Sequence, residues 1–207
     1  MQATGPAVPK VAGTAPLVGA TTDEALIGAI AAGDRAAMRT LFNRHRVRVF
    51  RFALRLVDDA ASAEDIVSEA FIEVWRQAHR FEGRSSVSTW IMSMARFKAL
   101  STRRRRAEIE LDEKVVETVA DRGPTPEEIL LETDRHDQLR ACLSQLSSDH
   151  REIVDLVYYH DKTIEEVAEI VGVPKNTVKT RMFYARKRLA RLLARHHDFD
   201  HLAATAV

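Results

Sequence analysis

One stretch, residues 163–193, constrains the fold of this chain more than any other. Thr163 is a suitable helix N-cap, and Glu166, three residues later, has the spacing of a capping box. Gly172 provides a residue that tolerates the left-handed conformation ending a helix, and Pro174 suits the first turn of the next one. The spacing therefore predicts two helices joined by a tight turn.

The second of these helices has an apolar side and a basic side. Its apolar stripe recurs every three or four residues, at Val178, Met182, Ala185, Leu189 and Leu192. Between residues 172 and 195 there are eight basic residues and no Asp or Glu. Because like charges four residues apart repel, an unrelieved basic face indicates a polyanionic partner. The pattern favours a helix-turn-helix, whose second helix enters the major groove of DNA; an ordinary charged C-terminal helix is the alternative.

The formal net charge of +1 conceals a strong segregation of charge. Residues 108–137 contain eleven acidic and three basic residues, a net charge of −8, whereas residues 172–195 carry +8. The hydrophobic content of 45% and the charged content of 29% are typical of a soluble globular protein. The N-terminus lacks a secretory pattern, and one cysteine, Cys142, excludes an internal disulfide. We therefore expect a cytoplasmic protein.

The rest of the chain shows helical periodicity and no alternating strand pattern. Helices are expected to begin near Asp23, Asp34, Ser62 and Ser88, and the fourth should end in the arginine run 103–106. The predicted fold class is all-α, with two small helical domains joined by a flexible acidic linker. The predicted divisions are a disordered lead at 1–21, a first domain at 22–106, the acidic linker at 107–130, a second domain at 131–195 and a disordered tail at 196–207.

Two stretches together resemble one family. Residues 63–100, from AEDIVSEAF to MARFKAL, resemble the polymerase-binding and promoter-melting part of a bacterial sigma factor. Residues 143–189, from LSQLSSDHR to ARKRL, resemble its C-terminal helix-turn-helix. With a short linker between them, the chain is similar to the extracytoplasmic-function branch of sigma factors, over about residues 23–195. The resemblance implies three partners: core RNA polymerase, promoter DNA and an anti-sigma protein.

The resemblance also implies site residues in the first domain. The third helix would dock on the clamp coiled coil of polymerase through Asp65, Ile66, Glu69, Ala70, Ile72, Glu73 and Trp75; the alternative is that its apolar residues are core. The promoter −10 element would be read and melted by Arg84, Ser85, Ser86, Ser88, Trp90, Arg96, Phe97, Lys98, Arg103 and Arg104. A captured base needs a pocket and a stacking partner, and arginines suit phosphate contacts. Trp90 has a core alternative, and Val87 stands where the family commonly has Phe.

The −35 element would be read in the major groove by the first turns of the last helix. The implied residues are Lys175, Asn176, Thr177, Lys179, Thr180, Arg181, Phe183, Tyr184, Arg186 and Lys187. The acidic linker has three interpretations: it imitates nucleic acid inside polymerase, it folds back on the DNA-reading domains, or it is a solvated spacer.

The sequence contains no pattern that indicates catalysis. It has no Gly-rich phosphate loop and no G-x-S-x-G. We therefore expect no enzyme, no cofactor and no metal; the His-rich end, residues 195–201, is interpreted as a frayed terminus. Two other functions stay open from the residues: a stand-alone helix-turn-helix repressor that binds duplex operators, and a helical module that regulates polymerase without reading DNA.

Overall fold

The computed structural model describes residues 21–112, 139 and 141–204, with side chains described at 21–108, 139 and 141–194. Every regular element within these ranges is helical, which confirms the all-α prediction. The elements are α1 (Asp23–Ala31), α2 (Arg35–Val57), α3 (Ala60–Gln77), a short 3₁₀ helix (Ala78–Arg80), α4 (Val87–Asp112), α5 (Ser148–Tyr158), α6 (Ile164–Val171) and α7 (Lys175–Ala204). Residues 141–144 form a helical turn before α5.

The first domain is a cluster of α1 to α4 around one apolar core. Helices α2, α3 and α4 pack against one another, and α1 lies against α2. Fully buried Leu41, Val74 and Ile91 come from three different helices. Burying such a side chain stabilises the fold by about 1.5–3 kcal/mol, so the apolar stripes predicted from the sequence hold this domain together.

The start of α3 differs from the predicted one. The helix begins at Ala60, and the Oδ2 of Asp59 accepts a hydrogen bond from the backbone N–H of Ser62 at 2.9 Å. Asp59 therefore takes the N-cap position that the sequence reading gave to Ser62. Aspartate is as good an N-cap as serine, and the charge of its carboxylate also suits a helix N-terminus. The side chain of Asp34, by contrast, caps α2 as predicted.

Two helices are longer than the sequence reading placed them. Helix α4 continues to Asp112, six residues past the predicted end of the first domain at residue 106. Helix α7 continues to Ala204, so residues 196–204 are helical and not a disordered tail. Neither Gly nor Pro occurs between residues 85 and 121 or after residue 175, and without these residues nothing local ends a helix. The lead and most of the linker lie outside the described residues.

The second domain packs α5, α6 and α7 around fully buried Ile153, Val167 and Val178. Helix α7 contacts both α5 and α6. Cys142 is buried with no exposed surface, in agreement with its interpretation as a core residue. Within the described ranges, no helix has the length and apolar character needed to cross a bilayer.

The two domains are in direct contact. Helix α4 packs against α6, and α2 packs against α5. Phe52 of α2 and Met92 of α4 are buried at 0% and 1% exposure, and both belong to the apolar cluster of the second domain. The apolar cores of the two domains therefore meet across this interface, which the sequence reading did not predict.

Candidate nucleic-acid interface

The turn between α6 and α7 is formed by local contacts. Thr163 Oγ1 accepts a hydrogen bond from the backbone N–H of Glu166 at 3.2 Å, and Glu166 Oε2 accepts one from the backbone N–H of Thr163 at 3.1 Å. Gly172 ends α6 with φ of 72°, a conformation that strains any residue carrying a Cβ. The predicted capping box and the predicted glycine stop are both confirmed.

The core side of α7 determines which face of the helix meets solvent. Val178, Met182 and Ala185 are buried at 4% exposure or less. Because these residues face the domain core, the basic residues of the first turns lie on the outer side. Exposed members of the predicted −35 set are Lys175, Asn176, Lys179, Thr180, Phe183, Tyr184, Arg186 and Lys187; Thr177 and Arg181 are half-buried.

Contacts within the domain fix part of this face. Arg181 Nη2 lies 2.7 Å from Asp149 Oδ2, at the start of α5. Arg186 Nε donates a hydrogen bond to Tyr158 Oη at 3.1 Å. The rings of Phe183 and Tyr184 meet edge to face, with centroids 5.4 Å apart. Two arginines thus brace α7 against α5, while two exposed aromatic rings provide apolar surface.

The segment before α4 contains the first part of the predicted −10 set. Arg84 is exposed and forms an ion pair with the neighbouring Glu82. Ser85 is half-buried and Ser86 is exposed. Ser88 is different, because its Oγ is buried and has no hydrogen-bond partner in the described structure. The predicted residues here therefore occupy unlike environments.

The aromatic residues of the −10 set divide in the same way. The Trp90 ring packs against Phe81 with centroids 5.0 Å apart, and Trp90 lies at the edge of the first domain's core. Phe97 is 71% exposed, the largest exposed fraction among the large apolar side chains described. Trp90 thus fits the core alternative, and Phe97 is the aromatic ring available for stacking on a base.

The basic residues of α4 are partly engaged by carboxylates. The guanidinium of Arg96 donates to Glu152 of the second domain, with Nε 2.6 Å from Oε1 and Nη2 3.2 Å from Oε2. Lys98 Nζ lies 3.2 Å from Glu69 Oε2 on α3. Arg103 and Arg104 are exposed beyond them. The structure therefore brings only part of the predicted −10 set to the surface.

The predicted polymerase-binding set also divides between surface and core. Ile66 and Ala70 are buried at 2% and 0% exposure, so they pack inside the first domain. Ile72 and Trp75 are 51% and 38% exposed. The charged members Asp65 and Glu69 are exposed, and Glu73 is half-buried. The outer face of α3 therefore presents the charged members with Ile72 and Trp75.

Several residues at the domain interface were missed by sequence reasoning. Glu166 Oε1 accepts hydrogen bonds from Ser86 Oγ at 2.9 Å, from Thr89 Oγ1 at 2.7 Å and from Lys162 Nζ at 3.1 Å. Burial raises the pKa of Glu166, but these bonds and the one from the Thr163 backbone outweigh it and lower that pKa to about 2. No local pattern indicates such contacts, since Glu166 and Ser86 are 80 residues apart in the sequence.

A second buried cluster lies beside this contact. Asp155 of α5 pairs with Arg55 of α2, and His160 Nε2 is 3.2 Å from Asp155 Oδ2. The His160 ring packs edge to face on Phe52, with centroids 5.6 Å apart. Burial, followed by the charges of Arg55, Arg48 and Lys162, lowers the pKa of His160 to about 4. The imidazole is therefore neutral at pH 7.

The described side chains contain no group of three or more His, Cys, Asp or Glu placed to hold a metal ion. The His-rich end lies outside the side chains that the structure describes. What the structure does present is a helix-turn-helix with an exposed basic face, docked on a four-helix domain that carries a second basic helix. Fold and site together define a two-domain, helical DNA-binding protein.

Comparison with known proteins identifies the family. The sequence matches the family Sigma-70 region 2 over residues 41–109 and the family Sigma-70, region 4 over residues 136–189. It is 30% identical over 166 residues to the ECF RNA polymerase sigma factor SigL of Mycobacterium tuberculosis, covering 80% of this chain and 93% of SigL. The chain belongs to the extracytoplasmic-function sigma factors, and it binds core RNA polymerase and directs it to promoter DNA.

Other relatives agree with this placement. SigK of Mycobacterium bovis is 26% identical over 176 residues, covering 82% of this chain and 92% of SigK. The sigma factor RpoE of Bartonella quintana, solved with the anti-sigma factor NepR, has a TM-score of 0.64 at 25% identity, over 75% of this chain and 96% of RpoE. CnrH, solved with the cytosolic domain of CnrY, has the same fold, with a TM-score of 0.60 at 21% identity over 83% of this chain and 97% of CnrH.

Proposed function

We propose that this sigma factor reads the −35 element with the exposed face of α7 and the −10 element with the N-terminal half of α4 and the loop before it. The observation that carries the proposal is the outer face of α7. Lys179 and Thr180 project from the first two turns beside the exposed rings of Phe183 and Tyr184. Lysine suits guanine acceptors, and threonine methyl groups and aromatic rings suit the methyl group of thymine.

The exposed arginines have a different role in this proposal. Arg103 and Arg104 lie on α4 beyond Phe97 and face solvent. Contacts of arginine with phosphate position the protein on DNA without specifying a sequence. Phe97 is placed to stack on an unpaired base, which offsets part of the cost of unstacking that base during melting.

The proposed polymerase contact is the outer face of α3. It presents Asp65, Glu69, Ile72 and Trp75, whereas Ile66 and Ala70 contribute from inside the core by holding the helix in place. A mixture of exposed apolar and acidic groups suits a helix-on-helix interface with a charged rim.

The proposal extends to regulation and location. The solved complex of RpoE with NepR supports control by an anti-sigma protein, and we place the chain in the cytoplasm, where polymerase acts. We further propose that it works as a stress-responsive initiation factor without catalysis of its own, with the domain limits 22–106 and 131–195 marking its two functional halves. The linker between them keeps its three interpretations.

The test is transcription by purified core polymerase on a library of randomised promoters. With this chain added, we expect initiation at a motif of two separated elements. A repressor that binds operators alone would bind duplex DNA but start no transcripts. If Lys179→Ala and Thr180→Ala leave the selected upstream element unchanged, the assignment of α7 as the −35 reader is wrong.

A further inference from the structure

The contact between the two domains covers part of the surface assigned to the −10 element. Met92 lies on α4 between Ser88 and Arg96, and it is buried in the second domain's apolar cluster. Phe52 joins that cluster from α2. The second domain therefore rests on the α4 face that begins at the −10 reading loop, and apolar burial stabilises this arrangement.

Polar contacts continue the same interface at the start of α4. The carboxylate of Glu166 accepts hydrogen bonds from the hydroxyls of Ser86 and Thr89, at 2.9 and 2.7 Å. Thr89 is fully buried there, and its Oγ1 also accepts a bond from Lys162 Nζ at 3.0 Å. Lys162 itself is only 7% exposed. The hydroxyl groups at this end of α4 are thus used within the molecule.

Arg96 is engaged two turns further along α4. Its guanidinium makes the two-bond contact with Glu152 described above, and the Glu152 side chain is only 7% exposed. A guanidinium recognises a carboxylate and a phosphate through the same fork of N–H donors. Glu152 thus holds the Arg96 donors that a DNA phosphate would use, and Glu166 holds the hydroxyl of Ser86.

We infer that the second domain is an intramolecular mask over the −10 reading surface, held closed by Glu152 and Glu166. This inference rests on the proposed function, because it takes residues 84–98 as the −10 reader. The mask is one-sided: Lys179, Thr180 and their neighbours on α7 are exposed in the closed arrangement. The free chain therefore presents its −35 face to DNA while part of its −10 face is covered by its own carboxylates.

The consequence is a weaker apparent affinity for the −10 strand. If only a fraction of the chain is open, the apparent Kd equals the intrinsic Kd divided by that fraction. The −35 duplex meets the same exposed face in the open and closed forms, so its affinity does not depend on opening. A ligand shifts an equilibrium only through such a difference in affinity between two states.

The test uses the full chain with two spin labels, one on each domain. The labels are placed at Ser68→Cys on α3 and Ala190→Cys on α7, both exposed positions, in a Cys142→Ala background. The opening variant is Glu152→Gln with Glu166→Gln. Glutamine at position 166 preserves the capping box, because Gln as well as Glu makes that contact. The matched control is Glu165→Gln with Glu169→Gln, two exposed carboxylates on the same helix.

We expect one narrow distance distribution for the wild-type chain and for the control, and a broad one for the opening variant. The DNA probes are a single strand with the −10 element and a duplex with the −35 element, both from a promoter selected in the transcription experiment. The opening variant should bind the single strand at least about tenfold more tightly, as expected when a closed state limits binding. Its affinity for the −35 duplex should match that of the control.

A broad wild-type distribution would overturn the mask, and so would an opened variant with no gain in affinity for the single strand. An equal gain for both probes would also overturn it, because the effect would then come from charge alone. The distance measurement needs no promoter. Absence of initiation together with a narrow wild-type distance would count against the proposed function and not against the closed arrangement.

Discussion

The guanidinium of Arg96 and the carboxylate of Glu152 join two domains that the sequence presents as separate, with Nε 2.6 Å from Oε1. The two residues are 56 positions apart. The resemblance to sigma factors gave Arg96 a role at DNA, and the structure shows it bound to a carboxylate that is nearly buried. The pair therefore links promoter reading to the relative position of the domains.

Base contacts and phosphate contacts should be separable by mutation. Lys179→Ala and Thr180→Ala should each alter preference at the −35 element, with a loss of about 1–3 kcal/mol per base contact. Arg104→Ala and Arg105→Ala should weaken binding to all sequences and reduce its dependence on salt concentration. Binding measured across promoter variants at several salt concentrations checks both. Equal losses on every promoter from all four changes would contradict the division.

Phe52 should stabilise the second domain although it belongs to the first. The side chain is fully buried in the second domain's apolar cluster, so Phe52→Ala should lower the free energy of unfolding by about 3–5 kcal/mol. Hydrogen exchange should show the added opening in α5 and α6. Phe71→Ala is the matched control, because Phe71 packs on Phe42 within the first domain. Greater protection loss in α5 and α6 from the control would refute the prediction.

His160 should make stability depend on pH. Because its folded pKa of about 4 is below the ordinary 6.5, protonation favours states in which the ring is released. This contribution to the free energy of unfolding is constant above pH 6.5 and falls as pH decreases from 6.5 toward 4. His160→Gln should flatten that part of the curve. The charged groups around the ring are Arg48 and Arg55 of α2, Asp155 of α5, and Asp161 and Lys162 before α6.

Thermal unfolding of both chains between pH 4 and 7 measures this difference. The control is His79→Gln, since His79 is exposed on the short 3₁₀ helix. A wild-type curve without a decrease below pH 6.5, or a His160→Gln curve as steep as the wild type, would show that the ring does not govern this range.

Two glycines should respond to alanine with opposite signs. Gly172 has φ of 72°, so Gly172→Ala should lower the free energy of unfolding by about 1–2 kcal/mol through backbone strain. Gly28 lies inside α1 with space for a Cβ, and Gly28→Ala should raise it by about 0.4–1 kcal/mol. Urea unfolding provides both values. The same sign for both substitutions would mean that the αL geometry of the turn is not what matters.

The site was predictable where its geometry is local. The capping box of Thr163 and Glu166, the stop at Gly172 and the buried stripe of α7 all follow from spacings within a few residues, and each was confirmed. Helix ends were less predictable: Asp59 competed with Ser62 for one cap, and α4 and α7 continued because no Gly or Pro interrupts them. The interface was not predictable, because its partners are distant in sequence.

The sequence by itself determined the helices, the basic outer face of α7 and the family, since these depend on periodicity and on motifs that are read along the chain. The tertiary structure alone decided which charged groups are available. Glu152 and Glu166 have the same composition signal as exposed Glu165 and Glu169, yet two of them bind α4 and two face water. Burial and pairing depend on what packs opposite a side chain, and that information exists only once distant helices are in contact.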